Sequence, residues 1–303
     1  GYPRGLFKAI GHPVVWMGWL IGRLDTALNH DGAPGPTRRR NGVVALVLLL
    51  VATLIPALLL EQICRALPFG FVLEGLLAAP LLAQKELGRA VGAVADALDR
   101  SLESGRAAVR GIVGRDPEAL DEAGVARAAV ESLAENSSDG VIAPLFWLLV
   151  LGLPGIALYK ALNTADSMVG HLNDRHGDFG WASAKLDDLA NWIPARLAGV
   201  MIAAACLLTS GASARAAWTV MLEDARKHDA PNAGWPEAAM AGGLGFALGG
   251  PRSYDGEVHD LPRLGRGNAD LGPEDIRRAL ELYDMLLNLA LGIAVALSVL
   301  VWG

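Results

Sequence analysis

A short run of oxygen-bearing side chains stands at the edge of an apolar segment, in ESLAENSSDGVIAPLFWLLV (131–150). Glu131 and Glu135 lie four residues apart, so a helix places both carboxylates on one face, where like charges repel. A bound cation would reverse that effect, and oxygen ligands suit a hard ion such as Mg²⁺ carrying substrate phosphates. The candidate set is Glu131, Glu135, Asn136, Ser137 and Asp139. The alternative interpretation is a solvated polar flank of a membrane segment.

A second polar stripe follows in YKALNTADSMVGH (159–171). Helical spacing predicts that Lys160, Asn163, Thr164, Ser167 and His171 share one face. Core packing does not explain five polar residues on one stripe beside a membrane span. A lysine with neighbouring hydroxyl and amide donors is a reasonable phosphate contact. His171 taken alone is more typical of a hydrogen-bonded structural histidine. Asp166 points away from the stripe and is expected to serve another helix.

The third stripe lies in WASAKLDDLANWIPAR (181–196). Helical spacing places Lys185, Asp188, Trp192 and Arg196 on one face, and Asp187 and Asn191 on another. Part of this pattern is expected to be ion pairing at the membrane interface.

A fourth polar stretch runs from Asp224 to Asn232, and it contains the candidates His228 and Asn232. A solvated charge run explains its many charges equally well. The following AGGLGFALGG (241–250) fits either tight helix packing or close backbone approach to an anionic ligand.

Several classes of function find no support in the sequence. There is no GxxxxGK[ST] loop, no GxGxxG after a strand, no HExxH and no GxSxG, so a nucleotide would be held without those sites. The net charge of −6 and the absence of a basic stripe argue against nucleic acid as a partner. Cys64 and Cys206 lie in or beside apolar segments without metal-ligand spacing, which predicts buried hydrophobic residues.

The elements that must position these stripes are apolar helices. The chain is 52% hydrophobic and 19% charged, whereas soluble domains are about 25% charged. Apolar runs at 43–60, 69–83, 141–158, 197–209 and 286–303 predict four to five membrane segments. The predicted fold class is an all-α, polytopic integral membrane helical bundle, with 1–303 as a single domain.

The connecting loops are predicted to be largely helical and cytoplasmic, at roughly 84–140 and 212–285. Arg38, Arg39 and Arg40 before the first clean span put that flank in the cytoplasm by the positive-inside rule. Asp116 is the expected N-cap of a helix with Pro117 at its first position. The Gly-, Pro- and Asp-rich stretch 251–275 is predicted to be loop.

Pro144, Gly152, Pro154 and Gly155 interrupt the run 141–158. A plain crossing there would put 159–196 on the face opposite the other two polar loops. The interruptions instead predict a broken or re-entrant segment, with the polar stripes converging in an internal cavity open to the cytoplasm.

These stretches, in this order, resemble the adenosylcobinamide-phosphate synthase family of cobalamin biosynthesis (CobD/CbiB). The resemblance also includes HPVVWMGWLI (12–21), FGWASAKLDDLANWIPAR (179–196) and the stretch 224–250, and it runs from near residue 11 to about residue 256. Family members usually begin with one more hydrophobic segment, and GYP at the start resembles its remnant.

The resemblance implies an inner-membrane, multi-pass enzyme whose active site faces the cytoplasm. It would join a propionate carboxylate of adenosylcobyric acid to (R)-1-amino-2-propanol or its O-phosphate, as an ATP-dependent ligase forming an amide. ATP and Mg²⁺ are then expected as cofactors. A second copy of the chain or other late cobalamin-pathway membrane enzymes are the expected protein partners.

The resemblance also suggests roles for the candidate residues. Binding of Mg²⁺, or action as a general base, is expected of Glu131, Glu135 and Asp139. Catalytic roles fall to Glu131, Glu135, Lys160 and His228. Substrate binding is expected of Asn136, Ser137, Asn163, Thr164, His171, Lys185, Arg196 and Asn232.

Two other functions remain open at this point. Intramembrane prenyl transferases also present Asn/Asp clusters that bind Mg²⁺-diphosphate, and NTAD (163–166) and LDD (186–188) are similar to such clusters. The chain lacks their tight N-D-x-x-D-x-x-x-D spacing. A non-catalytic membrane protein of the distantly related AmpE type is the other alternative, and binding of a corrinoid without turnover would identify it.

Overall fold

The computed structural model describes residues 11–113, 117–250, 252–254, 257–259 and 262–302. The chain divides into two compact units. The first takes in the chain up to Ala83 and Ala143–Asn191, and the second takes in Gln84–Ile142 and the chain from Trp192 onward. Helices dominate the described residues of both units, as the sequence predicts.

The first unit is organised around one long apolar helix. Its described helices are α1 (Pro13–Leu28), α2 (Gly35–Ala66), α3 (Gly70–Ala78, followed by a 3-10 turn at Ala79–Leu81), α7 (Ala143–Val169) and α8 (Trp181–Ala190). Helices α1, α7 and α8 all pack against α2. A core that includes Ile21, Leu49, Leu162 and Phe179 fills the space between them.

Helix α2 carries no charged side chain between Val43 and Leu60. It begins at Gly35 with Pro36 in its first turn, where a missing N–H costs no hydrogen bond. Leu46 and Leu49 are buried in the core, whereas Val47 and Leu59 are more than half exposed, at 52% and 57%. A helix that presents large apolar side chains outward as well as inward is typical of one facing lipid.

Helix α7 is broken at Gly152, which has φ 66° and ψ −154°. This backbone region is essentially restricted to glycine. Pro154 follows and has no N–H to donate, so the helical hydrogen-bond ladder is interrupted here. The predicted break in the run 141–158 is therefore confirmed.

The second unit is also helical. Its described helices are α4 (Gln84–Leu98), α5 (Leu102–Val109), α6 (Glu122–Ser137), α9 (Trp192–Ala205), α10 (Ala214–Asp224), α11 (Gly234–Leu244) and α12 (Pro273–Trp302). Short 3-10 turns occur at Pro117–Ala119 and Ala225–Lys227, and a π-helical turn occurs at Ser138–Ile142. Helix α6 packs against α4, α11 and α12, and α11 packs against α9 and α10.

The N-terminal end of α6 differs from the expectation. Asp121 is its N-cap, with a side chain that accepts a hydrogen bond from the Gly124 amide at 2.7 Å. Pro117 begins a separate 3-10 turn. The predicted N-cap, Asp116, lies outside the described residues.

The glycines of AGGLGFALGG serve close helix packing. A methyl group added to Gly242 would lie 2.5 Å from the Ala216 carbonyl oxygen of α10, and one added to Gly243 would lie 2.6 Å from Cys206 Sγ. Gly245, with φ 72°, ends α11 in the left-handed conformation that favours glycine. Of the two interpretations of this stretch, tight packing is the one that the structure confirms.

Short strands occupy part of the region that the sequence predicts to be loop. Strand β1 (Leu248–Gly249) pairs antiparallel with β4 (Arg263–Leu264), and β2 (Arg252–Tyr254) pairs antiparallel with β3 (Glu257–His259). Runs of two or three residues are too short to show a strand periodicity, which is why composition alone predicted a loop here.

Three stretches within the described residues are helical, long and apolar enough to cross a membrane. They are Gly35–Ala66, Glu122–Val169 and Pro273–Leu297. Helix α9 is shorter, and α3 has nine residues, which rise about 14 Å against a hydrocarbon core of about 30 Å. The count of four to five membrane segments is not confirmed.

Candidate functional site

The 131–139 segment is largely turned inward within the second unit. Glu131 is 3% exposed, and its carboxylate accepts a hydrogen bond from the Gly249 amide at 2.6 Å. Ser137 is fully buried and donates to the Ala134 carbonyl oxygen. A solvated flank would expose these side chains, so that interpretation is wrong for the inner face of α6.

The outer members of the same segment lie at the end of the helix. Glu135 and Asn136 are exposed, and Asp139 is half-buried in the π-helical turn. The Asn136 amide donates to the carbonyl oxygen of Ser132. A π turn widens the backbone by one residue and often marks functional positions.

The oxygen donors here are of the kind that Mg²⁺ prefers. Ser138 Oγ is buried and has no hydrogen-bond partner among the described residues. Across that same part of the chain, no group of three or more His, Cys, Asp or Glu side chains is assembled as a metal site. The Glu135 and Asp139 carboxylates at the outer end of the segment could supply one or two of the oxygen ligands that Mg²⁺ takes, with the others coming from water or phosphate.

Arg196 stands between two indole rings at the start of α9. Its guanidinium carbon lies 4.3 Å from the ring centroid of Trp192 and 4.6 Å from that of Trp235. The same group donates to the Trp192 carbonyl oxygen at 2.6 Å and to Asn232 Oδ1 at 3.4 Å. Two predicted site residues, Arg196 and Asn232, are thus brought together, and the guanidinium is oriented before any ligand arrives.

His228 faces a buried carboxylate that the sequence did not single out. Its Nδ1 accepts a hydrogen bond from the Ala230 amide at 3.0 Å. Nε2 lies 3.6 Å from Glu237 Oε1, and Glu237 is 2% exposed. Glu237 lies in the first turn of α11, where a carboxylate is favoured by the helix dipole.

The 160–171 stripe is only partly assembled within the first unit. Lys160 Nζ donates to Asn163 Oδ1 at 3.3 Å, so these two lie together as predicted. The hydroxyls of Thr164 and Ser167 donate to backbone carbonyl oxygens one turn earlier in α7. His171 is exposed beyond the end of the helix.

Lys185 lies on the exposed side of α8. Its ammonium is 3.5 Å from Asp188 Oδ2, with the lysine side chain 64% exposed. The expected ion pairing is therefore confirmed for this pair, and its position at the membrane interface stays a prediction.

A buried polar network that the sequence left outside the candidate set joins α7 and α8. Asp187 Oδ2 accepts from the Asn191 amide at 2.8 Å, and Asn191 Oδ1 accepts from the Tyr159 hydroxyl at 2.8 Å. The i,i+4 spacing of Asp187 and Asn191 was the available signal, whereas the partner Tyr159 depends on how α7 packs. Burial, followed by the negative charge of Asp166, raises the pKa of Asp187 to about 7.

A surface cavity of about 400 Å³ lies along α10 in the second unit. Its lining includes Arg215, Glu223, Asp224 and Arg266, and none of the predicted site residues. Asp224 is buried and accepts hydrogen bonds from the Gly265 amide and from Lys227. Polar groups at this cavity therefore pair with one another and hold α10 to β4.

Comparison with known proteins identifies the family. Residues 1–283 match the model of the CobD/Cbib protein family. The chain belongs to the CobD/CbiB family. Relatives named "Cobalamin biosynthesis protein CobD" include one from Brucella suis, 50% identical over 302 residues, which are 98% of this chain and 92% of the relative. The Rhodobacter capsulatus relative is 51% identical over 284 residues, which are 93% of this chain and 88% of that protein.

The match of this CobD/CbiB chain to its family includes every predicted site residue, because all of them lie between Glu131 and Asn232. A relative of the same name from Rhizobium meliloti is 46% identical over 287 residues, 93% of this chain and 88% of the relative. No solved structure matches the chain. The family places the protein in cobalamin biosynthesis, and the resemblance drawn from the sequence is confirmed.

Proposed function

We propose that this CobD/CbiB protein joins a propionate carboxylate of adenosylcobyric acid to (R)-1-amino-2-propanol or its O-phosphate in an ATP-dependent amide ligation. The observation that carries the proposal is the guanidinium of Arg196, held between two indole rings and hydrogen-bonded to Asn232. A planar, pre-oriented cation matches the geometry of a carboxylate or phosphate. Both groups occur in this reaction.

The reaction needs an activated acyl group, because a carboxylate is a poor electrophile. Transfer of the γ-phosphoryl group of ATP to the carboxylate gives an acyl phosphate. The amine then attacks its carbonyl carbon, and phosphate leaves. A cationic donor stabilises the oxyanion that forms at this carbon, a role we assign to Arg196. Lys160 and Asn163 are assigned to binding an anionic group of the substrates.

The remaining predicted residues have supporting roles in this proposal. Glu135 and Asp139 would hold Mg²⁺, which neutralises phosphate charge when bound, and Glu131 would support the segment from its inner face. We assign polar contacts with the substrate to His228 and Asn232, and their hydrogen bonds within the site support this assignment. Thr164 donates to backbone, which leaves its oxygen as an acceptor. The active site is proposed to face the cytoplasm, where ATP is found.

The test is an assay with membranes from cells that express the protein. Adenosylcobyric acid, ATP, Mg²⁺ and either amine are supplied, and the corrinoid product is identified by mass. We expect an amide product that requires ATP and is lost when Mg²⁺ is chelated.

Two variants and one control sharpen this assay. Glu135→Ala and Lys160→Ala are expected to lower product formation strongly. Arg89→Ala is the matched control, since Arg89 forms an exposed ion pair with Glu86. Full product formation by both site variants would contradict the assigned roles. Corrinoid binding without any product in the parent protein would instead indicate a non-catalytic member of the family.

A further inference from the structure

The buried carboxylate of Asp187 is held in place by two successive hydrogen bonds. Asp187 is 7% exposed, and its Oδ2 accepts from the Asn191 amide at 2.8 Å. Asn191 is 1% exposed, and its own amide oxygen accepts from the Tyr159 hydroxyl at 2.8 Å. Tyr159 belongs to α7 and Asp187 to α8, so the network fixes one oxygen of this carboxylate across a helix contact.

The other carboxylate oxygen of Asp187 is buried without a well-formed hydrogen bond among the described residues. Such an atom is costly to bury unless it is protonated or meets a donor from a ligand. The groups that act on it are the carboxylates of Asp166 and Asp188, and the amides of Asn191 and Asn163. Burial and the Asp166 charge favour the protonated form, whereas the two amides favour the carboxylate.

The proposed ligation needs a base that deprotonates the amine substrate. An alkylamine in neutral water is an ammonium ion, which has no lone pair for attack on an acyl phosphate. One proton must go to a base before the N–C bond forms. A second leaves the nitrogen as the C–O bond to phosphate breaks and ends on the departing phosphate. A base that gains and loses a proton near neutral pH serves the first step best.

We propose that Asp187 is this proton acceptor, with its Oδ1 taking the proton from the ammonium of the aminopropanol substrate. Asn191 and Tyr159 are positioning residues that hold Oδ2. The inference rests on the proposed amide ligation, and it adds a residue that neither the family match nor the sequence motifs assign. The step is balanced in atoms and charge: the acyl phosphate and the ammonium give the amide, hydrogen phosphate and one proton on Asp187.

Other groups are less suited to this task. Glu131 already accepts from the Gly249 amide, which stabilises its charged form. His228 accepts the Ala230 amide at Nδ1 and directs Nε2 toward Glu237. Asp187 combines a fixed oxygen with one that still needs a donor, and an ammonium ion supplies that donor.

The test compares two nucleophiles in membranes containing the full-length protein. Hydroxylamine is largely unprotonated at neutral pH and traps acyl phosphates as hydroxamates without a base. We expect Asp187→Asn to lower amide formation by about 100-fold, the usual loss of a general base, while hydroxamate formation is retained. Asp31→Asn, at a side chain that is 84% exposed, is the matched control and should preserve both products.

Each outcome decides between explanations. Equal loss of amide and hydroxamate in Asp187→Asn would overturn the inference and leave the ligase function standing, since the parent protein still makes amide. Retention of both products would overturn it as well. Absence of both products with the parent protein would remove the ligase proposal, and this inference with it.

A second variant covers the case in which Asp187→Asn does not fold. Asp166→Asn leaves Asp187 in place and removes a neighbouring negative charge that raises its pKa. The amide-forming rate of the parent protein should rise with pH through about 7, where Asp187 becomes the carboxylate. In Asp166→Asn this rise should move to lower pH. An unchanged pH profile in a folded, active variant would overturn the inference.

Discussion

Arg196 is a cation whose orientation is set by its neighbours in the protein. Its guanidinium lies over Trp192 one turn earlier in α9 and over Trp235 from the start of α11. Stacking of this kind needs a flat, weakly hydrated cation, which a lysine ammonium is not. The charge therefore stays in one orientation instead of sampling many rotamers.

Arg196→Lys keeps the charge but loses the stacking and the fork of donors. We expect the KM for an anionic substrate to rise about 10-fold, corresponding to about 1.4 kcal/mol, while the protein still folds. Steady-state kinetics with adenosylcobyric acid and ATP varied separately would show which anion is affected. Arg89→Lys, on an exposed ion pair, is the control. An unchanged KM for both substrates would mean that Arg196 only braces α9 against α11.

For individual side chains, the sequence predicts contacts within one helix well and contacts between helices poorly. The spacing of Trp192 and Arg196 and that of Lys185 and Asp188 indicate the stacking and the ion pair that the structure shows. Trp235 and Glu237 join the site through the packing of α11, which no local pattern encodes. Asp187 was assigned a shared face with Asn191, but its burial depends on neighbouring helices.

The break in α7 is the main departure from regular structure among the described helices of the first unit. Gly152 adopts a backbone conformation that other residues rarely reach. Glu61 of α2 lies against Gly152. A methyl group at Gly152 would lie 2.2 Å from Glu61 Oε1 and 3.6 Å from Glu74 Oε1. The break separates the apolar first half of α7 from the half that carries Lys160 and Asn163.

Gly152→Ala tests whether the break is required. The backbone strain alone is expected to cost about 1–3 kcal/mol, and the clash with the Glu61 carboxylate adds to it. Thermal unfolding in detergent should show a clear loss of stability, together with reduced ligase activity. Gly75→Ala is the matched control, because a methyl group there meets no atom within 4 Å. Equal stability of the two variants would contradict this account of the break.

Glycine and proline in the sequence were enough to predict that the helix is interrupted. They did not indicate which side chain faces the interruption, because Glu61 belongs to a different helix, α2. The short strands β1 and β4 were missed for a related reason. They pair with each other across an intervening stretch whose composition is typical of a loop. Long helices are encoded locally, whereas their contacts are encoded jointly by several segments.

For the whole molecule, three apolar helices and family membership make this a membrane protein of cobalamin biosynthesis. The orientation of its polar segments is a prediction from the charge rule and from the location of ATP. Leu172, directly after His171, is 95% exposed and offers a position at which to measure that orientation. The native cysteines Cys64 and Cys206 are both buried, so background labelling should be low.

We expect Leu172→Cys, in a protein with both native cysteines replaced by alanine, to react with a membrane-impermeant maleimide only in inside-out vesicles. The cytoplasmic face is accessible in those vesicles and is hidden in intact spheroplasts. Glu103→Cys, an exposed position in the 84–140 loop, is the reference for a predicted cytoplasmic site. Labelling of Leu172→Cys from spheroplasts alone would contradict a site that opens to the cytoplasm.

The glutamate beside the break in α7 also has a consequence for biogenesis. Glu61 and Glu74 precede Gly152 in the chain, so α2 is delivered to the insertion machinery well before the broken segment emerges from the ribosome. Backbone N–H groups freed at such a break would be costly in lipid on their own. Helix α2, whose Glu61 lies against Gly152, is already synthesised when the broken segment emerges, so we expect the order of synthesis to favour assembly of this helix pair.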